Sequence, residues 1–245
     1  MKALIKTMIA LTPYRIVRDT GVNRFQAIHT CLKLLRTFGY QPRAIIDGGA
    51  HLGHFALQAK AIFPEAIIHM VEPQPACRKE LEALSFTHKF LFHPYALATE
   101  AEARQGNLLL AIDDVATTGA HISVNSTEAT AVPVATSTLD QLFGRHIGPN
   151  DRAFLKLDLQ GYELAALSGG EAILKSIEVV LTEVSFFGQA YEPSIAELIS
   201  FFDHKKFDLF DIAALSGRTR DNRLKQGDFI FVRRGSPLLA DARWS

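Results

Sequence analysis

Cysteine is scarce in this sequence, with only Cys31 and Cys77. They fall in separate predicted helices and show no metal-type spacing, so a disulfide framework and a cysteine-built metal site are both unexpected; buried thiols in a reducing, cytoplasmic setting are the reading. Charge of one sign is lacking as well: 26 Lys and Arg stand against 26 Asp and Glu, which removes the broad field that would collect nucleic acid or anionic lipid. Neither Asn-Pro-Pro-Tyr, Asp-Pro-Pro-Tyr nor a Pro-Cys pair, the groups that handle a flipped base, occurs in the chain. Nucleic acid is therefore not an expected partner. Long apolar runs are missing too. Residues 1–11 are apolar, but Lys6 interrupts them, Pro13, Arg15 and Arg18 follow, and no small-residue cleavage site appears. The stretch reads as helical extension rather than as a signal or an integral membrane span, with loose contact to a membrane surface as the alternative.

What is present is apolar material for a sizeable core: 48% of the 245 residues are hydrophobic and 21% charged. That suits one extended α/β domain better than two independent units. Residues 22–38 place Val22, Phe25, Ile28, Leu32, Leu35 and Phe38 at helical spacing, with Gly39 where a C-terminal cap is wanted, and predict a lid or packing helix. From there the pattern alternates. An apolar run at 44–46 ends in Asp47 and glycines, a helical stretch follows over 53–63, a second run at 67–71 ends at Glu72-Pro73, and a helix covers 75–84. This is the βαβ rhythm of a parallel sheet.

Residues 90–97, 108–112 and 131–136 read as strands around a polar segment, 113–130, taken as an insertion with a hairpin. The rhythm resumes with a strand at 153–157, a helix at 162–175, a strand at 179–184 and a helix at 195–204. Two closing strands, 207–212 and 228–232, flank a polar loop at 216–227 and suit antiparallel pairing at the sheet edge. The expected fold is Rossmann-like α/β: a mostly parallel seven-stranded sheet with an antiparallel edge strand, helices on both faces, a hairpin insertion and N-terminal helices. Residues 1–42 form the N-terminal helical extension, 43–235 the ligand-binding domain, and 236–245 a C-terminal tail.

The most informative stretch runs from Ile45 through Asp47, Gly48, Gly49, Ala50, His51 and Gly53 to Phe55. A carboxylate at a strand end, small residues in the turn and a helix beginning near Gly53 make a cradle where backbone approaches a ligand closely. A phosphate-binding P-loop would end in Gly-Lys-Ser/Thr, which is absent, and a dinucleotide fingerprint would space its glycines differently. Asp47 selects further, because a carboxylate facing the turn repels pyrophosphate and attracts the ammonium of a methionyl group, as in S-adenosylmethionine. Glu72, ending the second strand, is placed to accept both ribose hydroxyls of an adenosine. The competing structural account is a tight strand-to-helix turn with a solvated Glu72.

With these residues in view, the chain resembles the FkbM-type family of S-adenosylmethionine-dependent methyltransferases over roughly residues 43–233. The resemblance rests on Ile46-Asp47-Gly48-Gly49-Ala50-His51-Leu52-Gly53, on Val71-Glu72-Pro73, on Thr138-Leu139-Asp140, on Thr182-Glu183-Val184-Ser185-Phe186, and above all on Leu155-Lys156-Leu157-Asp158-Leu159-Gln160-Gly161-Tyr162-Glu163. Gln160 stands where Glu is also frequent. The resemblance implies a Rossmann-like methyltransferase domain that transfers a methyl group from S-adenosylmethionine to a hydroxyl of a sugar, glycan precursor or secondary metabolite, leaving S-adenosylhomocysteine. A second copy of the chain is allowed as a partner. A nicotinamide-dependent oxidoreductase, disfavoured by Asp47, and a non-catalytic adenosine-binding module are the alternatives.

The candidate cofactor residues are Asp47, Gly48, Gly49, Ala50, His51, Gly53, Glu72, Pro73, Ala96 and Asp158, and the candidate catalytic residues are Asp158, Glu183 and His51. In-line displacement at a sulfonium requires the acceptor oxygen about 3 Å from the methyl carbon, and a nearby carboxylate or imidazole can take the hydroxyl proton. Asp158 is the first candidate for that task, against a turn carboxylate bonding the next helix. Glu163 is read as a helix-start residue or a functional one. Lys156, in an apolar strand, needs an acid partner, with Glu183 as one choice. His51 and His54 could relay a proton or simply bond locally. His121, Ser123 and Asn125 offer polar groups to the acceptor. No metal is expected, since no cluster of His, Asp and Glu has ligand spacing.

Overall fold

The computed structural model describes residues 24–112, 120–123, 131–187 and 193–241. Among them the strands are β1 (Ala44–Gly48), β2 (Ile67–Val71), β3 (Leu91–His93), β4 (Ala96–Leu97), β5 (Asn107–Ala111), β6 (His121–Ile122), β7 (Ala131–Ser137), β8 (Ala153–Leu157), β9 (Ile177–Ser185), β10 (Phe207–Arg218) and β11 (Leu224–Arg233). The α-helices are α1 (Arg24–Thr37), α2 (His54–Ile62), α3 (Arg78–His88), α4 (Glu100–Gln105), α5 (Leu139–Phe143), α6 (Glu163–Ser168) and α7 (Ile195–His204).

Every residue of β1 and of β8 is buried. A strand can bury both its faces only where helices cover both sides of its sheet, which is the setting of parallel pairing. Successive side chains then enter opposite cores. Ile45 and Phe154 pack into one with residues of α1, α2 and α3, whereas Ile46 and Leu155 pack into the other with residues of α5, α6 and α7. The main sheet runs β10-β11-β9-β8-β1-β2-β3. Its members from β9 to β3 pair in parallel; β11 pairs antiparallel with both β9 and β10. This is the expected Rossmann-like methyltransferase fold, with the reversed strand one place in from the edge. A second sheet, β4-β7-β5-β6, packs Ala96, Leu110, Ile122 and Val134 against Tyr162. Capping boxes start α4 (Thr99 with Glu102), α5 (Thr138 with Gln141) and α7 (Ser194 with Glu197).

Several boundaries differ from the sequence expectation for identifiable reasons. The run 90–97 is two strands, because Pro94 lacks the N–H to continue a ladder: β3 stays on β2, and β4 leaves to pair with β7. The helix expected over 162–175 stops at Gly169, where an added Cβ would lie 2.3 Å from the Ala98 carbonyl oxygen, and a short 3-10 turn follows at Ile173–Lys175. The stretch 75–84 opens as a 3-10 turn before α3. The polar stretch 216–227 is mostly ladder, since β10 and β11 pair out to Arg218 and Leu224. Of the expected hairpin insertion over 113–130, the described part supplies β6 beside β5, and the remainder, like residues 1–23, lies outside the described residues. No helix among the described residues is long and apolar enough to cross a membrane.

Candidate functional site

From β1 the chain steps outward through β2 and β3, and from β8 it steps outward the other way through β9, so the order reverses between β1 and β8. Open α/β sheets bind ligands at such a switch point, outside the carboxyl ends of the strands. A cavity of about 590 Å³ opens there, within the usual range of small-molecule sites. Gly49, Ala50, His51, Glu72, Pro73, Ala96 and Asp158 line it, so seven of the sequence-predicted residues share one cavity. Asp47, Gly48, Gly53 and Glu183 do not line it.

The loop after β1 is held against the loop after β8 almost backbone to backbone. Gly49 has φ of +73°, and a Cβ there would fall 2.0 Å from the Asp158 carbonyl oxygen. Any other residue would both strain the turn and push the loops apart. Gly53 serves α2 instead, as a left-handed cap whose added Cβ would lie 2.3 Å from Leu84. The Gly49 and Ala50 amides donate to the Val71 carbonyl at 2.9 and 3.1 Å, and the Asp158 amide donates to Gly48 at 3.1 Å.

Lys156 fastens this loop from below. Its Nζ donates to the Gly49 carbonyl at 2.7 Å and to that of Gly48 at 3.2 Å, and it forms an ion pair with Asp47 at 3.0 Å. Asp47 is fully buried. Burial pushes its carboxyl up while Lys156 pulls it down. The acid partner that Lys156 requires is thus Asp47 rather than Glu183. Glu72, also buried, accepts the His51 amide at 2.8 Å on Oε2 and the Gln74 amide at 3.0 Å on Oε1. His51 itself has φ of +48°. Burial, then His54 and Lys156, lowers its imidazole pKa, so the ring is neutral at pH 7.

On the other side of the cavity, carboxylates gather around one guanidinium. Arg24, in the first turn of α1, donates through Nε and Nη2 to the two oxygens of Asp228 at 2.6 Å each. The same Nη2 lies 3.2 Å from Asp158 Oδ2 and 3.0 Å from Glu183 Oε1. Gln160 Nε2 donates to Asp158 Oδ1 at 2.8 Å and to Glu183 Oε2 at 3.3 Å. Burial would raise Asp158, yet Lys156 and Arg24 outweigh it and hold the carboxyl below its usual range. Glu183 moves the opposite way: burial, then the charge of Asp158, pushes it up to about 8. Burial also raises Asp228 against the pull of Arg24. Glu163 braces the turn, its Oε1 accepting the Leu159 amide at 2.7 Å and the Gly161 amide at 3.4 Å, and burial raises it to about 7. Tyr162 reaches across to hydrogen-bond Glu102 of α4, tying the second sheet to the site.

His54 and His121 also line the cavity, and Asn125 lies outside the described residues. Sequence reasoning missed Arg24 and Asp228. The available signals were an arginine opening an amphipathic helix and an aspartate entering a run of buried apolar residues in β11. Among the described residues no group of three or more His, Cys, Asp or Glu is arranged to hold a metal ion.

The model of the methyltransferase FkbM domain matches residues 47–209, more than half of the chain. The chain belongs to the FkbM methyltransferase family. The matched span carries Asp47, Glu72, Lys156, Asp158, Glu163 and Glu183, but neither Arg24 nor Asp228. A search of the curated proteins finds no match. Among solved structures, methyltransferase FkbM from Methylobacillus flagellatus KT is 15% identical, with a TM-score of 0.45 over 77% of this chain and 43% of its own. The chain therefore spans less than half the length of that family member. Precorrin-6y C5,15-methyltransferase from Geobacter metallireducens GS-15 is 10% identical, with a TM-score of 0.45 over 90% of this chain and 93% of its own. Fibrillarin from Aeropyrum pernix, solved with natively bound S-adenosyl-L-methionine, is 12% identical, with a TM-score of 0.45 over 83% of this chain and 74% of its own.

Proposed function

We propose that this family member is an S-adenosylmethionine-dependent O-methyltransferase acting on a hydroxyl of a sugar, glycan precursor or secondary metabolite. The observation that carries the reading is the convergence of Gly49, Glu72 and Asp158 on one cavity at the switch point of the sheet. The residues fit the cofactor. Gly49 and Ala50 line the cavity with nothing larger than a methyl group, which admits close backbone approach, and each Glu72 oxygen already bonded to one amide keeps a lone pair for a ribose hydroxyl. The acids around the cavity favour a ligand with ammonium and sulfonium charges over a pyrophosphate. When bound, S-adenosylmethionine supplies a methyl carbon open to in-line displacement.

The chain's own task is then positioning and one proton. Asp158, ionised and tied at both oxygens, accepts a hydrogen bond from the acceptor hydroxyl and fixes its approach. Methylation would leave the hydroxyl oxygen strongly acidic, so even a depressed carboxylate at Asp158 would take its proton. Glu183 acts behind Asp158, through Gln160 and Arg24. His51 belongs to the cofactor end, where its amide holds Glu72.

Calorimetry on the purified chain tests this. S-adenosylhomocysteine is expected to bind one to one, and Asp158→Asn to keep that affinity within about threefold while lowering methyl transfer to a responsive hydroxyl compound by 100-fold or more, about 10²–10⁴ being the span of such proton-transfer roles. A folded chain that ignores S-adenosylhomocysteine, or that binds NAD in its place, overturns the reading.

A further inference from the structure

The acceptor side of the cavity is completed by groups that the family match, at residues 47–209, does not include: Arg24 and Asp228. Both line the cavity, together with Phe25 and Ile28 from the same turns of α1. The helix is not loosely attached, because Ile28, Leu32 and Leu35 are buried in the core beneath it. We propose that Arg24 is a positioning residue for the transfer: it brings α1 onto the cavity and, through one terminal nitrogen, fixes the carboxylate of Asp158 that receives the acceptor hydroxyl. The proposal rests on the functional reading above.

The geometry assigns two tasks to one edge of the guanidinium, with Nη2 shared between them. The two-pronged bond to Asp228, 2.6 Å on each arm, registers the guanidinium to β11 and so to the sheet itself. Nη2, held by that fork, then reaches Asp158 Oδ2 at 3.2 Å while Gln160 holds Oδ1 at 2.8 Å. With both oxygens tied, the carboxylate cannot turn about its χ2, and its remaining lone pairs have a fixed direction. A lysine would supply the charge without the fork, so it would restore ionisation more fully than orientation. An arginine that only neutralised Asp228 would have no need to touch Asp158 and Glu183 as well.

The charged groups facing Asp158 are Arg24 from α1, Lys156 on β8, Asp47 from β1, His51 from the loop after it, Glu163 from α6, Glu183 from β9 and Asp228 from β11. Of these only Arg24 and Lys156 are cations at pH 7, and Lys156 is committed to Asp47 and the glycine loop. Removing Arg24 therefore leaves Asp158 with acids on three sides.

The test is a carboxyl-carbon NMR titration of the full chain labelled on aspartate, with Asp158 assigned by Asp158→Asn. In Arg24→Gln the Asp158 midpoint is expected to rise by about one pH unit or more, the size associated with a lost adjacent cation, and Arg24→Lys to return at least half of it. Because Arg24→Gln strands three carboxylates and can fail to fold, the decisive pair is Asp228→Asn against Arg24→Gln/Asp228→Asn, in which the fork has lost its acid. If Arg24 holds Asp158, the double variant still titrates about one pH unit above Asp228→Asn. Equal midpoints in that pair overturn the proposal. Calorimetry with S-adenosylhomocysteine on the same samples keeps the two readings apart: wild-type chain that fails to bind it sinks the functional reading, whereas retained binding with an unmoved Asp158 sinks the role of Arg24 alone.

Discussion

On the β1–β2 side of the cavity, Glu72 gives its oxygens to the backbone amides of His51 and Gln74, which lie 21 and 2 residues away in the chain. On the β8–β9–β11 side, Asp158, Glu183 and Asp228 meet a guanidinium that is 204 residues from Asp228. The first arrangement is local and uses donors that carry no net charge, so it holds as long as the loop is folded. The second concentrates three acids on one cation. The remaining negative charge is met by protonation: burial first, and then the charge of Asp158, pushes Glu183 up to about 8 while Asp158 stays ionised. On the function proposed above, the locally bonded half is the cofactor's and the half whose charge can change is the acceptor's.

Lys156 joins the halves, and removing it is the largest expected break. From β8 it reaches across to Asp47 and to the Gly48 and Gly49 carbonyls, so Lys156→Met leaves a fully buried carboxylate and two carbonyls without their cation. The expected loss is about 3–5 kcal/mol in urea unfolding, and Asp47→Asn/Lys156→Met should recover at least half, because stranding one charge costs more than removing the pair. A loss below about 1 kcal/mol would mean that the β1 loop holds itself and that the halves are independent.

The β2–β3 flank supplies the next effect, from neutral imidazoles. His69 Nδ1 and His93 Nε2 face each other at 3.1 Å, the rings stack at 5.4 Å, and Phe143 closes the cluster. One nitrogen must donate and the other accept, so a second proton would put two cations face to face. Burial, then His93 and His146, lowers His69 from 6.5 to about 4. The unfolded chain therefore binds more protons between those pH values, and stability, complete above pH 6.5, falls as the pH drops through this window by on the order of 3 kcal/mol. His69→Leu should flatten the decline in denaturation experiments across the range. An unchanged slope would move the acid sensitivity to the carboxylates of the opposite half.

The same division decides what could be read in the sequence. Glu72, Gly49 and Lys156 sit in contiguous motifs whose residue types are dictated by backbone approach and by the cost of a buried charge. The alternation of β1, α2 and β2 and the strand β8 follow from short apolar runs between turn residues. Arg24 and Asp228 carry no such mark, since each becomes meaningful only when α1 and β11 are brought together by the fold. The split at Pro94 and the ladder beyond Ser216 were equally hidden, because a polar ribbon and a polar loop have the same composition. The role of Asp47 was legible only in part: its sign was right for a cationic partner, and within the chain the cation that answers it is Lys156.

The smallest expected change, when read at acid pH, is at Glu183, and its pH dependence opposes that of His69. Its carboxyl titrates near 4.5 in the unfolded chain and near 8 when folded, so the folded state binds more protons in between and stability falls as pH rises through that window. At about pH 4.5 the folded chain holds this proton and the unfolded chain has only begun to lose it. A glutamine of the same shape keeps an acceptor oxygen for Gln226 and Arg24, so Glu183→Gln should lie within about 1 kcal/mol of wild type at that pH. At about pH 9 the variant should be the more stable of the two, since it has no proton to lose among Asp158 and Asp228. Matching alkaline losses in wild type and variant would show that Glu183 stays ionised beside Arg24 throughout. In that case the proton that balances the three acids around Arg24 belongs to Asp228, and Glu183 carries a fixed charge.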